Sequence, residues 1–222
     1  MTLRRGLLAC GVASTALYAL ADLLGGLSYP GYDFSSQAIS ELSAIGAPSR
    51  PLVVGLLFLY NLLILLFSLG VLREALAGPR LPLRITAGLL LVYAILGLAI
   101  GMFWSASFSM QQRGAGSLTT DAPHIIITAV MVLLLLGAMA AGAFAFDRRF
   151  RLYSLATIGV VLLFGAWTSR FAPHIAAGEA TPGLGILERI DVYAAMLWIA
   201  VLGVMLSRRL EPHFTLTART AV

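Results

Sequence analysis

Charged residues are scarce in this chain: they occupy 11% of its 222 positions, against 59% that are hydrophobic. A soluble domain carries roughly 25% charge, so a sizeable water-facing domain is excluded and the membrane class is indicated. Lysine is absent, and all 15 basic residues are arginine, which reads as the coding bias of a GC-rich bacterium. Cysteine occurs once, at Cys10, which rules out an intrachain disulfide and a cysteine-based metal cluster within one chain. The redox compartment therefore stays open. Also missing are the short alternating segments of a β-barrel and the Gly-x-Ser-x-Gly elbow of serine hydrolases.

What the chain has in abundance is long apolar blocks. Six of them are long enough, at about 1.5 Å of rise per residue, to cross a hydrocarbon core roughly 30 Å thick. Backbone groups in lipid must be satisfied within their own segment, so these blocks are helices. The spacing predicts spans near Leu7 to Leu27, Pro51 to Leu72, Arg84 to Trp104, Pro123 to Ala145, Leu152 to Ala172 and Ile186 to Ser207. The expectation is an all-α, polytopic membrane bundle of about six helices over residues 1–210, with a flexible tail over 211–222.

The net charge of +5 does not indicate a nucleic-acid partner, because the arginines are spread through short loops and do not cluster on one soluble face. With the amino terminus inside, 11 arginines fall in cytoplasmic segments. Only Arg50, Arg113, Arg170 and Arg189 fall on the opposite side. That asymmetry is the positive-inside rule and predicts both termini in the cytoplasm of a bacterial inner-membrane protein. The first block is read as a retained helix, although Arg4, Arg5 and Ala19-Leu20-Ala21 also fit a cleavable signal peptide; Leu7-Leu8-Ala9-Cys10 has too little before it for a lipoprotein signal.

Connections on the cytoplasmic side are short: Arg73 to Leu83, punctuated by Gly78-Pro79 and Pro82, and Phe146 to Arg151. Those on the opposite side are longer, at Ser28 to Arg50, Ser105 to Ala122 and Pro173 to Gly185, and long loops in compact folds tend to be functional. Within the first, Ser35 to Leu42 places Phe34, Ala38, Ile39 and Leu42 at helical spacing, which predicts a short helix lying on the bilayer surface.

Ionisable residues in or near spans are costly and mark function by default. Ser14, Tyr18 and Asp22 line one face of the first helix. Asp121, His124 and Thr128 open the fourth. Arg170 and His174 close the fifth, and Glu188, Arg189 and Asp191 open the sixth. Asp33, Ser36, Ser40 and Glu41 lie in the first long loop. Three chemistries fit this set. A metal site would use His124 and His174 with one or two of Asp22, Glu41 and Asp121. A Ser36 or Ser40 nucleophile activated by either histidine would give acyl transfer. A cluster of Arg50, Arg170 and Arg189 would hold a phosphate headgroup.

Each set also has a plain structural reading. Glu188 pairs with Arg189 or Arg170 and Asp22 with a neighbouring helix as buried ion pairs that fix packing, Asn61 bonds to a neighbouring helix, Gly97 and Gly101 form a helix contact, and Ser35 and Asp121 cap helices. The leading expectation is a polar pocket at the outer helix ends that binds a lipid or another amphiphile. A lipid hydrolase, a noncatalytic partner subunit and a small transporter are the alternatives. A homo-oligomer or a membrane-protein partner stays open, as do cofactor and metal content.

One stretch is familiar: Tyr32-Asp33-Phe34-Ser35-Ser36-Gln37-Ala38-Ile39-Ser40-Glu41-Leu42, followed by Gly46-Ala47-Pro48. It resembles the bacterial and archaeal domain-of-unknown-function 998 family, as do Asp121 and His124 before the fourth helix and Gly185, Glu188, Arg189 and Trp198 in the sixth. The likeness spans nearly the whole chain and implies a six-helix membrane fold without implying a reaction. A looser similarity connects the chain with six- and seven-helix membrane hydrolases that use Ser, Asp and His, but their paired-histidine motif near the chain end is absent here.

Overall fold

The computed structural model describes residues 3–78 and 80–208. The tail expected over 211–222, Arg209, Arg219 and the Pro79 of the Gly78-Pro79 turn lie outside the described residues. Six helical spans are long and apolar enough to cross a membrane: α1 (Leu3–Leu27), α2 (Arg50–Leu76), α3 (Leu81–Phe103), α4 (Ala122–Ala143), α5 (Arg148–Thr168) and α7 (Leu184–Arg208). Past Thr168, α5 continues through a tight turn (Ser169–Phe171) into the short α6 (Ala172–Ala176). Proline opens α2, α3, α4 and α6, where its missing N–H would be unpaired anyway. Asp147 caps α5 by accepting from the Phe150 amide at 3.0 Å.

Each span packs on its neighbours in sequence, and α7 closes back on α1, so the six form a ring. Gly203 of α7 lies against the Leu8 carbonyl of α1, and Gly185 lies against Phe34 and Gln37 just beyond the other end of α1. Leu3 and Arg208 therefore share one end of the bundle, here the terminal end, and the long loops share the opposite loop end. The terminal half is tightly filled. Phe67 packs against Gly11, and Trp198 is fully buried, donating from Nε1 to Ser154 Oγ at 2.9 Å. Arg4 and the buried Glu74 are paired near this end.

Large apolar side chains such as Leu133, Leu163 and Val92 stand exposed in mid-span, as expected where lipid is the solvent. Between 17% of the best window of α5 and 39% of that of α7 is buried, which makes α7 the span most enclosed by the others.

The loop end differs from expectation in the first long loop. Residues Ser35 to Leu42 do not form a surface α-helix; the segment holds only a 3-10 turn over Ile39–Ser43. Side chains have taken the backbone groups that a helix would use. Asp33 accepts from the Ser35 amide and hydroxyl at 2.8 Å, the Tyr32 hydroxyl donates to the Ala38 carbonyl at 2.8 Å, and Arg189 donates to the Phe34 carbonyl at 2.8 Å. The Ser35 cap is thus a cap by Asp33. Loops from distant parts of the chain are stitched together over the bundle. Ile45 and Gln112 exchange backbone bonds with the segment opposite, and Gly114 and Gly178, both at positive φ, meet Cα to Cα where a Cβ would collide.

Candidate functional site

The polar side chains of the loop end sort into paired networks and a cavity wall. The first network is centred on Arg189. Its guanidinium grips Asp22 through two bonds of 2.9 and 2.7 Å, and its remaining donors go to the carbonyls of Phe34 and Gly185 and to the Tyr32 hydroxyl. Tyr193 donates to the same Asp22 carboxylate. Phe34 lies under the guanidinium at 5.0 Å. Asp22 is 3% exposed and Arg189 13%, so this is a buried, bidentate ion pair joining α1, α7 and the first loop. The cross-helix reading of Asp22 is borne out. Glu188 instead accepts from the Ile39 amide and forms no ion pair with an arginine among the described residues.

The second network is built on Glu41, which is 3% exposed. Arg113 meets it with bonds of 2.9 and 2.6 Å, Gln37 donates at 3.2 Å and the Ala38 amide at 2.8 Å. Arg113 also reaches the Glu179 carbonyl and Thr181, so three loops converge on one carboxylate. Outside the spans, two side chains have displaced proton affinities. The Ser36 hydroxyl and the Ser35 groups hold the Asp33 carboxyl below the usual carboxylate range. Burial pushes the Tyr32 phenol up, against the opposing pull of Arg189.

These networks disperse the sets expected from sequence. Asp22, Glu41 and His174 are held by Arg189, Arg113 and Glu179 respectively, and among the described residues no group of three or more His, Cys, Asp and Glu side chains could hold a metal ion. Asp121 does not cap α4: its carboxylate accepts from the Gln111 amide at 2.8 Å. The Ser36 hydroxyl is bonded to Asp33 at 2.7 Å, and Ser40 contributes its carbonyl to Ser43, so neither serine is bonded to a histidine. Arg50 is bonded to the Ser43 carbonyl and to Ser109 Oγ, Arg170 is exposed, and neither shares a partner with Arg189.

Behind the networks, inside the ring, lies a cavity of about 320 Å³. Its loop end is lined by Ser43, Ser105, Ser109 and His124, and its wall descends past Thr128 and Met131 to Leu135. From His124 to Leu135 is ~16 Å along α4. Val161, Ala195 and Met196 line it from α5 and α7. The tyrosines largely satisfy one another: Tyr60 contacts the Tyr93 hydroxyl at 3.1 Å and the Met196 sulfur at 3.2 Å.

Three groups on this wall keep unused acceptors. His124 Nδ1 lies 3.0 Å from the Phe108 carbonyl; a carbonyl only accepts, so Nδ1 carries the proton and Nε2 of the neutral ring keeps its lone pair. Asp191 lines the cavity and makes no hydrogen bond or ion pair among the described residues. Asn61 donates to the Leu57 carbonyl of its own helix at 2.9 Å, and its buried Oδ1 has no partner. The expected cross-helix bond of Asn61 is absent because Gly97 packs directly on the amide.

The sequence pointed to His124 and to a pocket at the loop end, but Arg170, His174, Glu188 and Arg189, expected beside it, do not line this cavity. Asp191 was visible as an intramembrane carboxylate, but only the tertiary structure shows that it, unlike Asp22, has no partner among the described residues. Arg113 left no signal, because its partner Glu41 lies 72 positions away.

A ring of six apolar helices with paired loops at one end defines a multi-pass helical membrane protein. Residues 12–205 match the family model described as "Protein of unknown function (DUF998)", and the chain belongs to that family. No curated protein and no solved structure matches it.

Proposed function

We propose that the chain binds a single small amphiphile in the cavity between its helices. The observation that carries this reading is the gradient along the cavity wall: hydroxyls and an imidazole at the loop end, and toward mid-span mainly aliphatic, aromatic and thioether side chains with Asn61, Asp191 and the tyrosine hydroxyls as the polar exceptions. Such a gradient matches a molecule with one polar end and one apolar end. A volume of about 320 Å³ is at the low end for ligand pockets and suits one aliphatic chain better than a two-chain phospholipid. In this reading Asp22, Glu41, Arg113 and Arg189 hold the loops over the cavity, and His124 and Ser109 meet the polar end. The distribution of arginines supports a reading with the termini in the cytoplasm and the loop end on the outer face of a bacterial inner membrane.

The test is a plug. Gly101 lines the cavity and a Cβ there meets only Phe58, at the ordinary contact distance of 3.9 Å, so Gly101→Phe is expected to fold and to occupy part of the cavity. Lipid extraction and native mass spectrometry of purified protein should find an amphiphile at about one per chain in the wild type and none in Gly101→Phe. Equal recovery from both proteins, or none from either, sinks the reading.

A further inference from the structure

The cavity wall is one-sided in its hydrogen-bonding capacity. Neither arginine nor lysine lines it. Arg50 touches two lining residues, and its guanidinium is already bonded to Ser109 Oγ and the Ser43 carbonyl. Against this, the wall presents a carboxylate at Asp191 with no hydrogen bond or ion pair among the described residues and an imidazole lone pair at His124 Nε2.

Asp191 lies about 10 Å along α7 from its loop end, at a depth where an uncompensated carboxylate is strongly disfavoured. The protein makes room for it all the same, because a Cβ at Gly165 of α5 would come within 3.3 Å of its Oδ2. Every other carboxylate brought to the loop end is bonded: Asp22, Asp33, Glu41, Asp121, Glu179 and Glu188 each accept hydrogen bonds. Asp191 has no partner among the described residues, and what would answer its carboxylate from the cavity is a positively charged group bearing N–H donors.

We propose that the cavity selects a cationic amphiphile, a long-chain amine whose ammonium group pairs with Asp191 while its aliphatic chain fills the apolar part of the wall. This rests on the amphiphile reading above and adds the sign of the charge. An anionic amphiphile would set its headgroup beside an unpaired carboxylate and is rejected on the same ground, since specificity is a difference between ligands.

The experiment compares three probes of equal chain length, dodecylamine, dodecanol and laurate, by isothermal titration to the full chain in nanodiscs. Wild type should bind dodecylamine at least about tenfold more tightly than dodecanol, with laurate weakest. Asp191→Asn should reduce the amine preference to within about twofold, and Asp191→Glu should retain it. Equal affinity for amine and alcohol in wild type, a preference for laurate, or an amine preference that survives Asp191→Asn overturns the cation while leaving amphiphile binding intact. Failure of all three probes to bind saturably removes both readings. If Asp191→Asn does not fold, the ranking of the probes on wild type decides alone.

Discussion

Asp22 and Asp191 are both aspartates within spans of the same bundle, and their surroundings are opposite. Asp22 is enclosed by the Arg189 guanidinium and the Tyr193 hydroxyl, and its charge is fully answered. Asp191, two positions beyond Arg189, lines a cavity and is answered by no hydrogen bond or ion pair among the described residues. The same contrast separates Glu41, which gathers three loops through Arg113, from His124, which spends one nitrogen on Phe108 and leaves the other to the cavity. A membrane protein tolerates buried charge in two ways, by pairing it permanently or by reserving it for something that arrives. Paired groups govern stability and reserved groups govern binding.

That division makes graded predictions. Arg189→Ala strands the Asp22 carboxylate in a buried setting and should destabilise the fold by about 3 to 5 kcal/mol. Chemical denaturation in detergent micelles would measure this, and a loss below 1 kcal/mol (taken here as roughly the worth of a surface pair) would show that the network does not hold the bundle. Arg113→Ala acts on a pair whose arginine is 20% exposed, so the expected loss is smaller, about 2 kcal/mol. It should also speed limited proteolysis across the loops, and unchanged cleavage would argue against Glu41 as the point where they meet.

Gly97→Ala places a methyl group on the Asn61 amide. A destabilisation of about 1 to 3 kcal/mol is expected, relieved when Asn61→Ala is added, and a double-mutant cycle that shows no coupling would break this account. Asp191→Asn removes a charge without a partner, so the midpoint of thermal unfolding should hold or rise slightly while ligand preference changes. A large loss of stability there would mean that Asp191 belongs with the paired groups. His174→Ala breaks an ion pair whose members are 52% and 60% exposed, and a change above about 0.5 kcal/mol would be unexpected.

The two classes were not equally legible in the sequence. Asp22 and Arg189 announced themselves as intramembrane charges of opposite sign, and a cross-helix pair is the simplest way to keep both. Glu41 stood out within the Tyr32 to Leu42 stretch, but its partner did not, because an arginine in a loop 72 positions away carries no periodicity to read. The surface helix expected at Ser35 to Leu42 failed for a related reason: apolar spacing was right for a helix, yet Tyr32, Asp33 and Arg189 compete for the same backbone groups. Both histidines stand in the same four-residue context, Ala-Pro-His-Ile at 122–125 and 172–175, and both suit, by sequence, the same metal and acyl-transfer roles. One faces the cavity and the other is exposed and paired with Glu179.

Apolar run length by itself determined that this chain is a six-span helical membrane protein, since a backbone in hydrocarbon has few ways to satisfy its own hydrogen bonds. The short Tyr32 to Pro48 stretch was enough to point to the family. Which charges are paired, which acceptors remain open and where the ring leaves a cavity were decided only by the tertiary structure. Those properties depend on the rotation of each helix about its axis, and that rotation is set by side chains far apart in sequence meeting at a few small-residue contacts such as Gly97 on Asn61 and Gly203 on Leu8.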